Sequence, residues 1–272
     1  MIKPDFLIVG AMKGGTSSLA YILSHHKDIY IPKNEIFYFS HDKNYKKGPK
    51  WYLSKIGQAS ECKKLVGEKT ASYHYISKSA KRIFDYNPNM KLIWILRDPI
   101  KRSYSQFWHV QKHGGESRTF EKAIEDEVKG LTENIWNRYI ARSNYSDQIE
   151  NYLKFFDKEQ FHFMLFEDLV KSPLQETNKV LDFLGLKSMS QEEVVNEPRN
   201  VTFVSAYPKL LRAARSVFGR SLPFKIIRKV LERRKPGYSK MSNKAKLILK
   251  PIFKEQIIRL QKLTGLNLNS WQ

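Results

Sequence analysis

A lysine inside a glycine-rich turn is the first feature of this sequence that could do chemistry. Residues 10–19 read GAMKGGTSSL. Gly10 and Gly15 have the separation of the phosphate-binding pattern G-x-x-x-x-G-K-[ST], but Thr16 stands at the lysine position and the lysine, Lys13, lies inside the loop. Backbone amides and the positive dipole end of a helix N-terminus bind anions. A tight turn capped by Thr16 would not explain Lys13, so the sequence predicts an anion site.

This loop also carries a run of hydroxyl side chains at the start of the following helix. The candidate anion-binding residues are Lys13, Gly14, Gly15, Thr16, Ser17 and Ser18. If the ligand were a nucleoside triphosphate, magnesium would be needed, held by the loop hydroxyl and by an acid that ends a neighbouring apolar strand.

The neighbouring strand instead ends in a cation. The run LIWIL stops at Arg97, and Asp98 follows one place later. A guanidinium suits a phosphate better than a metal ion. Ser105 lies about two turns along the next helix, where its hydroxyl could share a ligand with Arg97 only if that helix runs past the site. The sequence thus offers two anion sites on neighbouring strands and no convincing magnesium site.

Two further stretches place charged residues beside apolar ones. In PKNEIFYFS (32–40), composition alone favours reading Glu35 as a surface glutamate beside a buried aromatic strand. In EKTASYHY (68–75), Glu68 and Lys69 end a strand, and both are expected to face the cleft. An ordinary solvated lysine is the alternative reading of Lys69.

Strands and helices alternate along the first two thirds of the chain. Strands are predicted at 5–10, 63–70, 91–96 and 161–169, with helices after 15, over 77–86, after Pro99 and over 172–184. This alternation predicts βαβ units, a parallel sheet and ligands at the carboxyl ends of the strands. We expect one domain over 1–272, with a basic helical portion from about 205.

Composition narrows the class of protein. The 272 residues are 41% hydrophobic, no run is long enough to span a membrane, and the first strand starts too early for a signal peptide, so we expect a cytoplasmic protein. The single cysteine, Cys62, excludes an intramolecular disulfide and a multi-cysteine metal site, and is expected to be a bystander thiol.

Positive charge is concentrated near the C-terminus. The formal net charge is +21, and residues 209–262 contain 17 Lys or Arg against only Glu232 and Glu255. Such a region suits a polyanion, a nucleic acid or a membrane surface. A solvated helical surface with some phosphate-binding residues embedded in it explains the composition equally well.

Taken together, the motifs GAMKGGTSSL, NEIFYF, EKTASY and RDPIKRSYSQFW resemble the sulfotransferases that use 3′-phosphoadenosine 5′-phosphosulfate (PAPS). The resemblance is strongest to the branch of heparan sulfate and bacterial carbohydrate sulfotransferases, and it covers nearly the whole chain. It implies a P-loop-like three-layer α/β fold with a central parallel sheet flanked by helices. It also implies PAPS as the sulfuryl donor, with no metal required.

The resemblance assigns roles to individual residues. The loop Lys13–Ser18 would hold the 5′-phosphosulfate, and Arg97 with Ser105 the 3′-phosphate. Glu35 would be the catalytic base, with Lys13 and Lys69 as catalytic partners. In RRKPGYSK, Arg233 and Lys235 would close over the 3′-phosphate, although the usual K-G-R signature is absent. Two further departures stand near the base, since Phe37 occupies a histidine position and Ser40 a frequent aspartate position.

The resulting hypothesis is sulfation of a hydroxyl or amine acceptor on a carbohydrate, a glycan or a glycolipid. Loops 40–60 and 112–145, which would decide the acceptor, contain no recognisable motif, and no nucleic acid partner is expected. The alternatives are a magnesium-dependent nucleotide kinase or NTPase, and a non-enzymatic nucleic-acid binder that uses the basic C-terminal region.

Overall fold

The apolar runs of the sequence form one five-stranded parallel sheet. A computed structural model describes residues 3–57, 64–193, 203–205, 207–219, 221–236 and 238–271, with the backbone alone for 203–205, 208, 209 and 231–236. The sheet strands are β1 (Phe6–Gly10), β2 (Ile29–Tyr30), β3 (Leu65–Lys69), β4 (Lys91–Leu96) and β5 (Phe161–Leu165). Their order is β2-β3-β1-β4-β5, and every pairing is parallel. The predicted α/β fold with a central parallel sheet is confirmed.

Helices connect these strands and continue beyond them. They are α1 (Thr16–Ser24), α2 (Asp42–Tyr45), α3 (Gly48–Ile56), α4 (Lys78–Tyr86), α5 (Pro99–Lys112), α6 (Phe120–Val128), α7 (Tyr145–Leu153), α8 (Phe166–Lys171), α9 (Pro173–Leu184), α10 (Pro208–Phe218), α11 (Leu222–Leu231) and α12 (Asn243–Thr264). No helix among the described residues is both long enough and apolar enough to cross a bilayer.

The contacts divide the chain into two compact units. The first comprises Met1–Arg97, Tyr145–Arg199 and Leu260–Asn267, and the second comprises Asp98–Asn144, Asn200–Arg259 and Leu268–Gln272. The sheet lies in the first unit. The prediction of one domain over 1–272 stays a prediction, and Cys62 lies outside the described residues.

Both faces of the sheet are covered, which is why its strands consist of continuous apolar runs. On one face, Phe6 and Ile8 of β1 pack in a buried cluster with Leu19 of α1 and Leu181 of α9. On the other face, the fully buried Trp94 meets the ring of Tyr152 on α7 edge to face, with 5.2 Å between centroids. The first unit is therefore a three-layer arrangement of helices, sheet and helices.

The strand order reverses next to β1. The chain first builds β2 and β3 on one side of β1 and then β4 and β5 on the other. Ligands of open parallel sheets bind at the carboxyl ends of the strands that flank such a reversal. The ends of β1, β3 and β4 are where the sequence places the glycine-rich loop, Lys69 and Arg97.

The last predicted strand of the sheet is shorter than expected. A strand was predicted over 161–169, but β5 ends at Leu165 and α8 begins at Phe166. Glu167 and Asp168 lie in the first turn of α8, where the helix dipole favours negative charge. The prediction was wrong by four residues because the apolar pattern continues into the helix.

The second unit contains α5, α6 and most of the basic C-terminal region. The predicted start of a helix at Pro99 matches α5, and the basic helical portion expected from about 205 includes α10, α11 and the long α12. A short strand β6 (Phe203–Ser205) pairs antiparallel with β7 (Glu232–Pro236), which contains the start of the RRKPGYSK stretch.

Candidate functional site

The turn between β1 and α1 accepts only glycine at two positions. A side chain on Gly14 would place its Cβ 2.5 Å from the carbonyl oxygen of Ile95. Gly15 is the N-cap of α1 with φ +94°, and a Cβ there would lie 2.8 Å from the ring of Phe166. This close packing brings the helix N-terminus directly onto the ends of β1 and β4.

The first amides of α1 are available to a ligand. The N–H groups of Gly15, Thr16 and Ser17 have no hydrogen bond to another described residue, whereas the Ser18 N–H donates to the Gly15 carbonyl at 2.9 Å. Unpaired amides at a helix start, beside the hydroxyls of Ser17 and Ser18, form an anion-binding arrangement.

Arg97 connects the end of β4 with this loop. Its Nη1 donates to the carbonyl oxygen of Lys13 at 3.1 Å, and its guanidinium lies 4.5 Å from the centroid of the Phe166 ring. Its Nε is buried and has no hydrogen-bond partner among the described residues. The stacked guanidinium is therefore held in place while one of its donors remains available to an oxygen ligand.

Lys69, Glu35 and Ser17 form a second connection to the loop. The Lys69 Nζ donates to Glu35 Oε1 at 2.8 Å and to Ser17 Oγ at 3.4 Å. The two charged side chains are 12% and 24% exposed, so the pair is protected from solvent yet reachable. A carboxylate and an ammonium thus adjoin the anion-binding helix start.

Glu68 occupies a different environment from Lys69. Both were expected to face the cleft, but Glu68 is fully buried, because adjacent residues of a strand point to opposite faces. Its carboxylate accepts hydrogen bonds from the hydroxyls of Thr70 and Tyr52, the latter at 3.2 Å. The expectation was wrong for Glu68, which lies beneath the site.

The hydroxyls around Glu68 also hold the segment that carries Glu35. Thr70 Oγ1 accepts from the N–H of Phe37 at 3.3 Å, and the hydroxyl of Tyr73 accepts from the N–H of Tyr38 at 3.1 Å. Phe37 has a left-handed backbone, with φ +57°. The buried cluster beneath β3 therefore fixes the turn after Glu35.

Burial raises the pKa of Glu68 to about 7, although hydrogen bonds from Thr70, Tyr73 and Tyr52 oppose the shift and the nearby Glu35 charge adds to it. A carboxyl whose pKa is higher in the folded state binds more protons there than in the unfolded chain. The stability that the protonated Glu68 carboxyl contributes is therefore fully present below the pKa of the unfolded chain. It is lost as the pH rises from about 4.5 to about 7.

We expect Glu68→Gln, which mimics the neutral acid, to remove this loss. The difference in unfolding free energy between variant and wild type should shift by about 3 kcal/mol in favour of the variant between pH 4.5 and pH 8. Urea unfolding of both proteins across this range measures the shift. The exposed Glu159→Gln is the control, and parallel profiles for wild type and Glu68→Gln would contradict the prediction.

The remaining predicted site residues lie in the second unit. Ser105 is on α5 and is 4% exposed. Arg233 and Lys235 belong to β7, but their side chains lie outside the described residues. The structure thus brings together Lys13, Arg97, Ser17, Lys69 and Glu35, whereas the predicted pairing of Arg97 with Ser105 stays a prediction.

Sequence reasoning missed Phe166. This residue packs against Gly15 and supports the guanidinium of Arg97. Its only signal in the sequence is an aromatic residue directly after an apolar strand, at the same sheet edge as the other motifs.

Comparison with known sequences identifies the family. Residues 3–206 match the family described as the sulfotransferase domain. The human heparan sulfate glucosamine 3-O-sulfotransferase 5 is 31% identical over 186 residues, covering 67% of this chain and 54% of that protein. The human heparan sulfate glucosamine 3-O-sulfotransferase 3B1 is 31% identical over 185 residues, covering 68% of this chain and 46% of that protein. The chain spans about half the length of these curated relatives.

Solved structures agree with this match. A sulfotransferase from Alicyclobacillus acidocaldarius has a TM-score of 0.73 at 25% identity and covers 100% of this chain and 99% of its own. A mouse sulfotransferase complexed with 3′,5′-adenosine bisphosphate (PAP) shares the fold, with a TM-score of 0.53 at 14% identity. The match covers 93% of this chain and 84% of that one. The resemblance seen in the motifs is confirmed, and the chain belongs to the sulfotransferase domain family.

Proposed function

We propose that this protein transfers the sulfuryl group of PAPS to a hydroxyl or amine on a carbohydrate acceptor, a glycan or a glycolipid. Family membership and the heparan sulfate enzymes among its relatives support the proposal. The observation that carries it is the Lys69 ammonium, which contacts both the Glu35 carboxylate and the Ser17 hydroxyl of the anion loop. A group that can take a proton thus adjoins a group that can hold an anion.

The described residues fit a donor with two separated anionic groups. The free amides of Gly15, Thr16 and Ser17, with Lys13, Gly14 and Ser18, would hold the 5′-phosphosulfate. The stacked guanidinium of Arg97, with its unpaired Nε, would hold the 3′-phosphate. Ser105, Arg233 and Lys235 keep the donor-binding roles implied by the motifs. When bound, PAPS supplies a sulfuryl group attached to a phosphate leaving group.

Glu35 would accept the proton that the acceptor loses. Its Oε1 is engaged by Lys69 Nζ at 2.8 Å and by the Ala71 N–H at 3.4 Å. Its Oε2 has no hydrogen bond to a described residue, so this oxygen would receive the proton. An open pocket lined by Phe37, His41, Asp42, Lys43 and Asn44 adjoins the Glu35 segment and is the proposed entry for the acceptor.

The engagement of Asp98 disfavours the magnesium-dependent alternative. Its carboxylate caps α5, accepting from the N–H groups of Ile100 and Lys101 at 2.9 and 3.2 Å. The Lys101 ammonium also lies 3.4 Å from its second oxygen. An acid committed to a helix cap and an ion pair is a poor magnesium ligand.

Calorimetric titration with 3′,5′-adenosine bisphosphate (PAP), the desulfated donor, tests the proposed donor site. We expect tight binding in the presence of a chelator, weakened at least about 100-fold by Arg97→Ala, because a charge-assisted contact with the donor is lost. Arg97→Lys should recover only part of the affinity, since an ammonium lacks the planar fork. The exposed Lys81→Ala is the control for removal of a positive charge.

A parallel titration with ATP and magnesium distinguishes the alternatives. Binding of ATP only when magnesium is present, without PAP binding, would replace the sulfotransferase proposal with the kinase hypothesis. PAP binding that Arg97→Ala leaves unchanged would support the donor but remove Arg97 from its site.

A further inference from the structure

The helix pair α10–α11 in the second unit presents apolar side chains on two faces. One face is internal: Leu211 and Ala214 of α10 pack with Phe224 of α11 in a small buried cluster, and Ile227 packs against it. A surface helix ordinarily carries polar residues opposite its buried face. On this pair, exposed aliphatic residues stand among the polar ones, so the outer face requires an explanation.

The outer face of α11 is an aliphatic stripe. Leu222, Ile226 and Val230 follow one another at intervals of four residues, which places them on one side of the helix. They are 68%, 57% and 77% exposed. On α10, Leu210 and Val217 are also exposed, at 55% and 74%. Such a concentration of exposed aliphatic side chains marks an interaction surface.

Cations border the stripe. Lys225 and Lys229 each precede a stripe residue, and both are exposed. Neither has an ion-pair partner among the described residues. Residues 208–231 contain seven Lys or Arg and no Asp or Glu. Lysines beside an apolar stripe can insert their methylene stems while the ammonium groups reach a layer of negative charge.

We propose that the α10–α11 pair docks on the surface of a membrane that contains anionic lipid, with the stripe inserted among the acyl chains and the lysines at the headgroups. An amphipathic helix with a basic border is the arrangement that binds lipid interfaces. The stripe is shorter than a membrane span, so the helix lies on the surface.

Charge and composition favour this occupant over other partners. A second copy would place the same cations opposite one another, because a two-fold interface brings together identical surfaces. Protein interfaces are anchored by aromatic residues and arginine and are depleted in lysine. The α11 stripe is aliphatic and bordered by Lys225 and Lys229, and the exposed aromatic Phe218 lies at the end of α10. A nucleic acid would use the cations but leave the aliphatic side chains exposed.

Vesicle co-sedimentation of the full chain tests the proposal. We expect binding to vesicles of phosphatidylcholine and phosphatidylglycerol, weak binding to phosphatidylcholine alone, and loss of binding at high salt. Combining Leu222→Gln, Ile226→Gln and Val230→Gln should lower the partition coefficient at least about 30-fold. Replacing Lys225 and Lys229 by Gln should lower it about tenfold or more.

Matched controls lie elsewhere on the chain. Val128, Val170 and Leu247 are 59%, 61% and 73% exposed, so their joint replacement by Gln removes equivalent apolar surface. The exposed Lys154 and Lys187, replaced by Gln, match the charge change. Both control variants should bind vesicles like the wild type. Circular dichroism of each variant checks that the exposed substitutions leave the fold intact.

Three results would overturn the proposal. The first is no binding to the anionic vesicles, or binding that the stripe variant retains. The second is a dimer in sedimentation velocity without lipid that the stripe variant dissociates, which would assign the face to a second copy. The third is binding to the anionic vesicles no stronger than binding to phosphatidylcholine alone, together with oligonucleotide binding that depends only on Lys225 and Lys229. That result would assign the surface to nucleic acid.

Discussion

Glu35→Gln is expected to lower kcat about 10²- to 10⁴-fold while PAP affinity changes little, the range that general base catalysis contributes. Glutamine keeps an oxygen that can accept from Lys69 Nζ, so the contact with the anion loop survives. It cannot take up a proton at the position of Oε2. Sulfuryl transfer to a glycan acceptor, followed by release of PAP, measures kcat, and calorimetry with PAP measures donor affinity.

The control for Glu35→Gln removes a carboxylate from another glutamate–lysine ion pair, away from the site. Glu176 on α9 pairs with Lys179 at 2.6 Å, so Glu176→Gln converts an equivalent ion pair without touching the site. It should leave kcat within about twofold of the wild type. If Glu35→Gln retains turnover, Glu35 is not the base. If both variants lose turnover together, the loss reflects stability.

Sequence patterns predicted the parts of the site that lie at strand ends. The glycine-rich loop, Lys69 and Arg97 each directly follow or end an apolar run, and parallel strands bring such ends to one edge. This reasoning needs only local patterns and the rule of alternating strands and helices. It therefore placed the candidate residues at the ends of β1, β3 and β4 along one edge of the sheet, without any knowledge of tertiary contacts.

Contacts between distant segments could not be predicted in the same way. The ion pair of Glu35 with Lys69 depends on how the 35–39 turn folds over β3, and composition alone favoured a surface glutamate. The support of Arg97 by Phe166 depends on β5 ending at Leu165, where the apolar pattern itself does not stop.

The wrong expectation that Glu68 faces the cleft could have been avoided from the sequence alone. Alternation along β3 places Glu68 and Lys69 on opposite faces, so both could not have faced the cleft. Motif reading treated the two charged residues as a unit, whereas strand geometry separates them. The resulting buried carboxyl contributes to holding the Glu35 turn through Thr70.

Lys13→Gly is expected to lower kcat about 10²- to 10³-fold without destabilising the protein. In the proposed reaction, the ammonium offsets charge that grows on the leaving phosphate, so its loss affects the transition state more than donor binding. The backbone at Lys13 has φ +71°, a region that costs a residue with a side chain about 1 kcal/mol or more. A residue kept there for structure alone would be glycine.

Three substitutions at this position separate charge from backbone strain. Lys13→Gly should relieve the strain and leave Tm unchanged or higher, Lys13→Ala should lose the same activity without that relief, and Lys13→Arg should retain the most turnover. Arg97 donates to the backbone carbonyl of Lys13, so this hydrogen bond persists in all three variants. Turnover is measured by sulfuryl transfer and Tm by thermal unfolding. Full activity in Lys13→Gly would show that this position serves the turn and not the reaction.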